Sequence, residues 1–256
     1  MQNKPLVSVV TVCYNSEKYI KSTIESVLMQ TYKNLEYIII DGKSTDNTIK
    51  IIQGHNLKFN NKIKLISETD TGIYDAMNKG IRISKGDYLF FLNAGDYFLN
   101  KDIIDTIIDI TISKKADFIY GPVKIGKNKI RNNKINSEFD LIFRTICHQG
   151  IFAHRKCFIN NNFNKKFTWL ADYQWVVKCF QNKGTKKIYT DNLISYFDPS
   201  NNTGFDSHAL KMSRLKERFE IGTNSFRGIY KLIFLINQFR LSTKYKYFYK
   251  NNPFKN

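Results

Sequence analysis

Hydrophobic runs of strand length alternate with helix-period patterns through the first 120 residues of the chain. The run at residues 6–12 is rich in β-branched side chains, which is typical of a buried strand, and similar runs lie at residues 35–40, 63–67 and 88–92. Between and after them, apolar residues recur at helical spacing. Strands that alternate with helices form crossover units, so the pattern predicts an α/β fold with a mostly parallel sheet covered by helices on both faces.

Polar side chains stand where these four strands end. Asn15 follows the first strand, Asp41 ends the second, Asp70 follows the third and Asp96 follows the fourth. Ligands of open α/β sheets bind beyond the carboxyl ends of the strands. One polar residue at such a point is ordinary turn chemistry, whereas several at consecutive strands indicate a binding site.

Residues 117–207 have a less regular pattern. A strand is predicted at Phe118–Ile125 (FIYGPVKI), and a helix begins near Asp172 with apolar residues on one face. We expect this part to complete one domain of residues 1–207, whose first half is 1–116.

The positive charge of the chain is large and unevenly distributed. Its 256 residues include 40 Lys and Arg against 22 Asp and Glu, which gives a net charge of +18. Residues 208–256 hold 11 of the basic residues and two of the acidic ones, so half of the excess lies in this C-terminal extension. A local basic segment favours an anionic partner, namely a membrane surface, a nucleic acid or a phosphorylated substrate. A compositional preference for Lys, Ile and Asn is the alternative explanation.

The extension mixes aromatic and aliphatic residues with its basic ones. It is too short and too charged to cross a bilayer, which takes about 20 apolar residues. We predict that the segment from Ser225 to Lys250 lies on an anionic membrane surface. The residues predicted to insert are Phe226, Ile229, Tyr230, Ile233, Phe234 and Phe239. In the alternative, the aromatic residues pack on the preceding domain and the Lys residues are solvated.

Cysteine and histidine usage argues against several protein classes. The four Cys form no CxxC pair, and the four His have no HxxxH or HExxH spacing, so neither a disulfide scaffold nor a structural zinc site is predicted. The thiols are expected to be reduced, and the N-terminal segment has no signal-peptide pattern, which together predict a cytoplasmic protein. With 42% hydrophobic residues the chain can build a sizeable core, which excludes disorder as its main state.

Four segments together resemble the inverting nucleotide-sugar glycosyltransferases of family 2, whose fold is called GT-A. In chain order they are VSVVTVCYNSEKYI (Val7–Ile20), SVLMQTYKNLEYIIIDGKSTDNT (Ser26–Thr48), DTGIYDAMNKGIRISKGDYLFFLNAGD (Asp70–Asp96) and HQGIFAHRKCF (His148–Phe158) followed by LADYQW (Leu170–Trp175). The GIYDAMNKGI stretch resembles a subgroup that builds bacterial O-antigen, capsular and other surface polysaccharides. The resemblance implies a transferase that moves a sugar from a nucleotide-sugar, here expected to be a UDP-sugar, to a glycan acceptor.

The resemblance implies a nucleotide pocket at the ends of the first two strands. Asp41 would accept the imide N–H of uracil, and Thr11, Tyr14 and Asn15 would form the rest of the pocket. The alternative role of Asp41 is to cap the turn Gly42–Asp46, and helix capping is an alternative or additional role of Asn15.

The donor side is also expected to include Asp75 and Asn78, which fall on one face of a predicted helix. A solvated polar face is the alternative. The family often carries an Arg just before this Asn, and Met77 stands there instead, so any phosphate or ribose contact from that position is lost.

The segment Asn93–Asp96 (NAGD) stands where the family carries an acidic metal-binding motif. Asn and Gly replace acidic residues, so Asp96 is the predicted ligand of Mg²⁺ or Mn²⁺, with donor phosphates and water completing the shell. Asn93 and Ala94 are placed on the donor side. Turn capping is the alternative role of Asp96.

Asp172 is the predicted catalytic base, because it stands in the family's Asp-Tyr pattern after the metal segment. A carboxylate with an ordinary pKa is ionised at neutral pH and can take the proton of an attacking hydroxyl. An Asp favoured by the dipole at a helix N-terminus is the alternative. The resemblance places His148, Gln149 and Arg155 on the acceptor side, where a lipid-linked glycan is expected at the cytoplasmic face of the membrane.

Three other functions remain as alternatives. A nucleotidyltransferase would need a Gly-rich phosphate loop after the first strand, where Cys13–Ser16 contains no Gly. A nucleic-acid-binding protein would fit the charge, but no RNP, zinc-finger or helix-turn-helix pattern is present, so we expect no nucleic-acid partner. A catalytically impaired nucleotide-sugar-binding protein would explain the depleted acidic motif.

Overall fold

The computed structural model describes residues 4–58, 62–199 and 208–250. Its strands are β1 Val7–Cys13, β2 Leu35–Asp41, β3 Ile63–Ser67, β4 Tyr88–Phe91, β5 Tyr97–Phe98, β6 Phe118–Tyr120, β7 Val123–Ile125, β8 Lys129–Arg131, β9 Ile151–His154, β10 Lys187–Tyr189 and β11 Ser195–Phe197. Its α-helices are α1 Ile20–Leu28, α2 Thr48–Lys58, α3 Ile73–Ile83, α4 Ile103–Lys114, α5 Ala171–Gln181, α6 His208–Ser225 and α7 Gly228–Lys250.

A seven-stranded sheet with the order β10-β6-β9-β4-β1-β2-β3 forms the centre of the molecule. Strands β1, β2, β3 and β4 pair in parallel, while β9 runs antiparallel to both β4 and β6. The predicted α/β fold with a mostly parallel sheet is therefore confirmed.

The sheet separates two hydrophobic cores, as the period of two along a strand requires. On β1, Val10 and Val12 join the core that also contains α3, α5, α6 and α7, whereas Val7 and Val9 join the core that contains α1, α2 and α4. Helices therefore cover both faces, and the polar ends of the parallel strands emerge between them at one edge.

The segment predicted as one strand at Phe118–Ile125 is two strands. Gly121 and Pro122 break it, and β6 lies in the central sheet while β7 lies in a second sheet of order β5-β11-β7-β8. The break has a local cause, because Pro122 has no N–H to donate to a neighbouring strand. Gly121 also passes close to another segment, since a Cβ on it would lie 2.9 Å from the carbonyl oxygen of Asn192. The second sheet supports the turn before β9, where the hydroxyl of Ser195 donates to the carbonyl of Gln149 at 2.5 Å.

Helices α6 and α7 form a hairpin that packs on the core containing α3 and α5. Ile221, Phe226 and Phe234 are buried in the same cluster as α3 and α5. The two helices meet closely at Gly222, where a Cβ would lie 2.0 Å from the ring of Phe234. The prediction that Phe226 and Phe234 insert into a membrane is therefore wrong, because both side chains are buried in the protein core.

The other face of this hairpin is exposed. Ile229, Tyr230, Leu232, Ile236 and Phe239 are between 44% and 70% exposed. Among the described residues, no helix has the length and apolar character needed to cross a membrane.

Candidate active site

The carboxyl ends of β1, β2 and β3 lie side by side. Cys13 pairs with Asp41, and Asp41 pairs with Ser67. The polar residues that follow these strands are thereby brought to one edge of the sheet, as the sequence predicts.

Asp41 is fully buried and its carboxylate organises the turn that follows β2. It accepts hydrogen bonds from the Ser44 backbone N–H at 2.9 Å, the Ser44 hydroxyl at 2.5 Å and the Ser67 hydroxyl at 2.7 Å. The Cys13 thiol lies 3.6 Å away as a weak fourth donor. The turn-capping alternative therefore describes the geometry of Asp41, and its contact with the imide N–H of uracil stays a prediction.

Tyr14 and Asn15 lie above that turn. Asn15 adopts a left-handed conformation with φ of 45°, and its Oδ1 accepts from the Thr45 backbone N–H at 2.9 Å. Tyr14 is 63% exposed. A Cβ on Gly42 would lie 2.8 Å from Asp70 Oδ2 and 3.3 Å from the Tyr14 ring, so Gly42 keeps a narrow space between these two side chains.

A second polar cluster lies beyond β4, where a hydrogen-bonded chain joins three parts of the sequence. Asn93 Nδ2 lies 3.1 Å from His148 Nε2, and His148 Nδ1 lies 3.1 Å from Asp172 Oδ2. With the Asn amide as donor to Nε2, the imidazole proton is on Nδ1 and points to the carboxylate. This arrangement fixes both the tautomer and the orientation of His148.

Asp172, at the start of α5, is held from its other side. Its Oδ1 accepts from the Tyr74 hydroxyl at 2.9 Å and from the Tyr173 backbone N–H at 2.8 Å. Burial alone would raise the pKa of Asp172, but the hydrogen bonds from His148, Tyr74 and Tyr173 outweigh it and hold the pKa below its ordinary value. The side chain is 15% exposed, so the ionised carboxylate is accessible to a bound molecule.

Asp96 lies behind this cluster. It is 3% exposed, and its Oδ2 accepts from Gln149 Nε2 at 3.1 Å. Burial raises its pKa to about 7, against the opposing influence of nearby His148. The carboxylate thus lacks a full counter-charge.

The turn around Asp96 has the oxygen donors that a hard divalent cation prefers. Asn93 Oδ1 is buried without a hydrogen-bond partner, and the under-neutralised carboxylate of Asp96 follows three residues later. Among the described residues, however, no group of three or more His, Cys, Asp or Glu side chains is arranged around a common point. The residues present therefore fit a cation that takes most of its ligands from substrate phosphates and water.

Three predicted site residues do not face the edge of the sheet where the carboxyl ends of the parallel strands lie. Thr11 is fully buried and its hydroxyl donates to the carbonyl of Leu92 at 2.7 Å, so the prediction that it contacts a nucleotide is wrong. Asn78 is 6% exposed and its amide bonds both the carbonyl and the N–H of Phe163, so it is neither on a solvated face nor open to a ligand. Arg155 lies at the other end of β9, and its guanidinium donates to the carbonyl of Gly86 at 2.9 Å. The acceptor-side prediction for Arg155 is therefore also wrong.

The remaining two donor-side predictions lie near the edge with structural partners. Asp75 accepts from the Thr71 backbone N–H and pairs with Lys165 at 3.1 Å, which lowers its pKa. The N–H of Ala94 extends the ladder by donating to the carbonyl of Val12 at 3.1 Å.

Two residues of the site were not assigned from the sequence. Asp70 was noted at a strand end but not placed in the pocket beside Gly42. Tyr74 has no spacing signal of its own, because its hydroxyl meets Asp172 only through the packing of α3 against α5.

Comparison with known proteins is consistent with this geometry. The family description "Glycosyl transferase family 2" matches residues 8–225. A "PGL/p-HBAD biosynthesis glycosyltransferase" of Mycobacterium bovis (strain BCG / Pasteur 1173P2) is 29% identical over 223 residues, covering 85% of this chain and 87% of the relative. The structure of S. aureus TarS 1-349 in complex with UDP-GlcNAc superposes with a TM-score of 0.72 at 16% identity, covering 91% of this chain and 71% of that one.

A further similar structure contains a metal ion. It is the mannosyltransferase PcManGT from Pyrobaculum calidifontis in complex with GDP-Man and Mn²⁺, with a TM-score of 0.67 at 14% identity, covering 89% of this chain and 66% of that one. The fold is thus the GT-A fold of these glycosyltransferase structures. The chain belongs to glycosyl transferase family 2, and it is a glycosyltransferase.

Proposed function

We propose that this protein is an inverting glycosyltransferase that moves a sugar from a UDP-sugar to a hydroxyl of a glycan acceptor, with Asp172 as the general base. The observation that carries the proposal is the arrangement of Asp172. It is ionised, partly exposed and oriented by three hydrogen bonds at the edge of the sheet where ligands of this fold bind.

The proposed reaction requires one proton acceptor from the protein. The acceptor hydroxyl attacks the anomeric carbon from the face opposite the nucleotide, a carbon–oxygen bond forms, and the bond to the diphosphate breaks. The hydroxyl proton passes to Asp172. Oδ1 of Asp172 already has two donors and Oδ2 has one, so a lone pair of Oδ2 is the free acceptor for that proton.

Tyr14, Asn15, Gly42 and Asp70 support the proposed donor pocket. An exposed aromatic ring offers a stacking surface for a base, and the capped turn beneath it offers backbone groups for hydrogen bonds. The UDP-GlcNAc complex of TarS suggests the uridine nucleotide. We propose Asp75 and Ala94 as residues that border this pocket.

We also propose that donor binding uses Mg²⁺ or Mn²⁺, held by Asp96 and by Oδ1 of Asn93 together with the diphosphate. When bound, the cation would neutralise the negative charge that develops on the leaving diphosphate. Gln149 would hold the carboxylate of Asp96 in place.

A panel of nucleotide-sugars tests the function. UDP-glucose, UDP-galactose, UDP-GlcNAc, UDP-GalNAc and GDP-mannose are added with Mn²⁺ or with EDTA, and the thermal shift is measured, because a ligand of the native state stabilises it by mass action. For the donor with the largest shift, UDP release without acceptor is then measured, since water can take the place of the hydroxyl.

We expect a shift for one or more UDP-sugars, loss of that shift in EDTA, and slow UDP release. A shift without any UDP release, with or without a crude glycolipid acceptor, would support the impaired-binding alternative. No shift with any sugar, together with salt-sensitive binding of random DNA, would support the nucleic-acid alternative. UDP release at the same rate in EDTA as in Mn²⁺ would contradict the proposed role of the metal.

We further propose that the enzyme works at the cytoplasmic face of a bacterial membrane on a lipid-linked acceptor of surface polysaccharide synthesis, such as O-antigen or capsule, and that the α6–α7 hairpin is its peripheral contact. The hairpin carries an exposed apolar face next to basic residues such as Lys231 and Arg240. Between the helices lies an apolar groove of about 990 Å³, lined among others by Met212, Leu215 and Phe239. Basic residues near an anionic surface contribute about 1 kcal/mol each.

Substitution of exposed residues tests this contact better than deletion of the tail, because Phe226 and Phe234 belong to the core. Phe239→Asp and Ile236→Asp should reduce co-sedimentation with phosphatidylglycerol vesicles at low salt. Leu57→Asp on α2, at 75% exposure, is the control for charge and exposure. Equal sedimentation of all variants and the wild type would contradict the hairpin as the contact.

A further inference from the structure

Helix α6 contacts the loop that precedes the proposed base, and it does so through one carboxylate. Glu217 accepts three consecutive backbone N–H groups, from Thr168 at 2.9 Å and from Trp169 and Leu170 at 3.0 Å each. These residues form the loop that leads directly into α5, where Asp172 stands two positions later. Three donors converging on a single carboxylate fix the path of a short backbone segment, and the negative charge is well placed near a helix N-terminus.

The same loop is held from its other side by Tyr74. The Tyr74 hydroxyl lies 3.0 Å from the carbonyl of Trp169 and 2.9 Å from Asp172 Oδ1. The backbone of Trp169 therefore has two contacts. Its N–H donates to Glu217, and its carbonyl lies next to the Tyr74 hydroxyl, which also contacts Asp172. A displacement of the loop would move Tyr74, Asp172 or both.

Two arginines beside Glu217 add to this contact. The guanidinium of Arg214 lies 5.2 Å from the ring of Trp169, and that of Arg218 lies 4.5 Å from the ring of Tyr173, the residue next to Asp172. Arg218 also donates to the carbonyls of Leu141 and Ile142 at 3.3 and 3.1 Å. Successive turns of α6 thus contact the residues on both sides of the base.

We propose that Glu217 is a positioning residue for the reaction, and that α6 is a part of the active site which holds the loop 168–170 so that Asp172 faces the acceptor hydroxyl. The proposal rests on the assignment of Asp172 as the base. A misplacement of about 1 Å in a reacting group can cost about 100-fold in rate, so loss of this support should appear in kcat rather than in donor binding.

Glu217→Ala, Glu217→Gln and Asp172→Asn test the proposal, with Glu220→Ala as the matched control. Glu220 lies on the same helix and pairs with the exposed side chain of Lys166, so its removal takes the same charge from α6 but leaves the loop backbone bound. The rate of UDP release without acceptor, the KM for the donor, the melting temperature and the pH dependence of kcat are measured for each protein.

We expect Glu217→Ala to lower kcat at least tenfold with the donor KM within twofold of wild type, and Glu220→Ala to leave both within twofold. Glu217→Gln should retain an intermediate rate, because its amide oxygen can still accept from Trp169 and Leu170. The acidic limb of the kcat profile should move to higher pH in Glu217→Ala, because a loosened loop weakens the donors that keep Asp172 ionised.

A wild-type kcat in Glu217→Ala, with Asp172→Asn inactive, would overturn the positioning role and leave the base assignment intact. Retained activity in Asp172→Asn would instead contradict the base assignment. If Glu217→Ala does not fold, the test rests on Glu217→Gln. A wild-type kcat in Glu217→Gln, together with an unchanged pH profile, would then overturn the proposal.

Discussion

Two regions lie on the same side of one sheet but are built differently. One is the proposed donor edge, formed by Tyr14, Asn15, Gly42 and Asp70 on the turn that Asp41 caps, and the other is the base cluster around Asp172. At the donor edge, Asp41 and Ser44 are three residues apart, and the contacts of Asn15 join the turns that follow two adjacent parallel strands. In the base cluster, Asn93, His148 and Asp172 come from separate parts of the chain, and Tyr74 reaches Asp172 across 98 residues. The first region is set by turn chemistry and the second by tertiary packing.

This difference separates two kinds of effect. Residues at the donor edge offer surface to a ligand, so changes there should alter the KM for the donor. Residues in the base cluster orient one carboxylate, so changes there should alter kcat and its pH dependence. The following variants test that separation.

Asp172→Asn should have the largest effect. The amide keeps the shape of the side chain but cannot accept a proton, so we expect UDP release to fall at least about 100-fold, the lower range for a general base. Donor binding, measured by thermal shift, should be unchanged. A rate within twofold of wild type would show that the base lies elsewhere.

His148→Ala should have the next largest effect. It removes the Nδ1–H donor to Asp172 while leaving the carboxylate, so we expect kcat to fall about tenfold with little change in donor KM. Because the hydrogen bond from His148 helps to lower the pKa of Asp172, its loss should raise that pKa and move the acidic limb of the kcat profile to higher pH. An unmoved acidic limb would contradict the link between the two residues.

Tyr14→Ala tests the donor edge. Stacking of a base on an aromatic ring contributes about 1–3 kcal/mol, so the KM for a UDP-sugar should rise about fivefold or more while kcat is retained. Tyr14→Phe is the control, because it keeps the ring. Since Tyr14 is 63% exposed, neither change should lower the melting temperature, and a loss of kcat without a change in KM would remove the distinction between the two regions.

The same distinction explains what the sequence alone could predict. The alternation of strands and helices follows from local patterns and is confirmed. The gathering of polar residues at the carboxyl ends of β1, β2 and β3 follows from the same patterns, and the binding of ligands at that edge stays a prediction. The burial of Asn78 and the position of Arg155 were predicted wrongly, because which side of a helix is covered and where an antiparallel strand enters the sheet depend on distant residues. The roles of Tyr74 and Glu217 have no local signal at all, since each acts on a loop far along the chain.

The last variant, Asp96→Asn, is followed through stability rather than through rate. Burial raises the pKa of Asp96 from 3.8 to about 7 in the folded protein, so between these values the folded state holds a proton that the unfolded state has lost. The free energy of unfolding therefore falls as the pH rises through this window, and an Asn, which cannot ionise, should not show that fall.

In EDTA we expect Asp96→Asn to melt about 2–4 °C above wild type at pH 8 for each kcal/mol relieved, with little difference at pH 4. With Mn²⁺ and UDP added, the order should reverse, because only the carboxylate gains a cation. Parallel melting curves across the pH range would contradict the raised pKa, and an unchanged order with Mn²⁺ and UDP would contradict the metal.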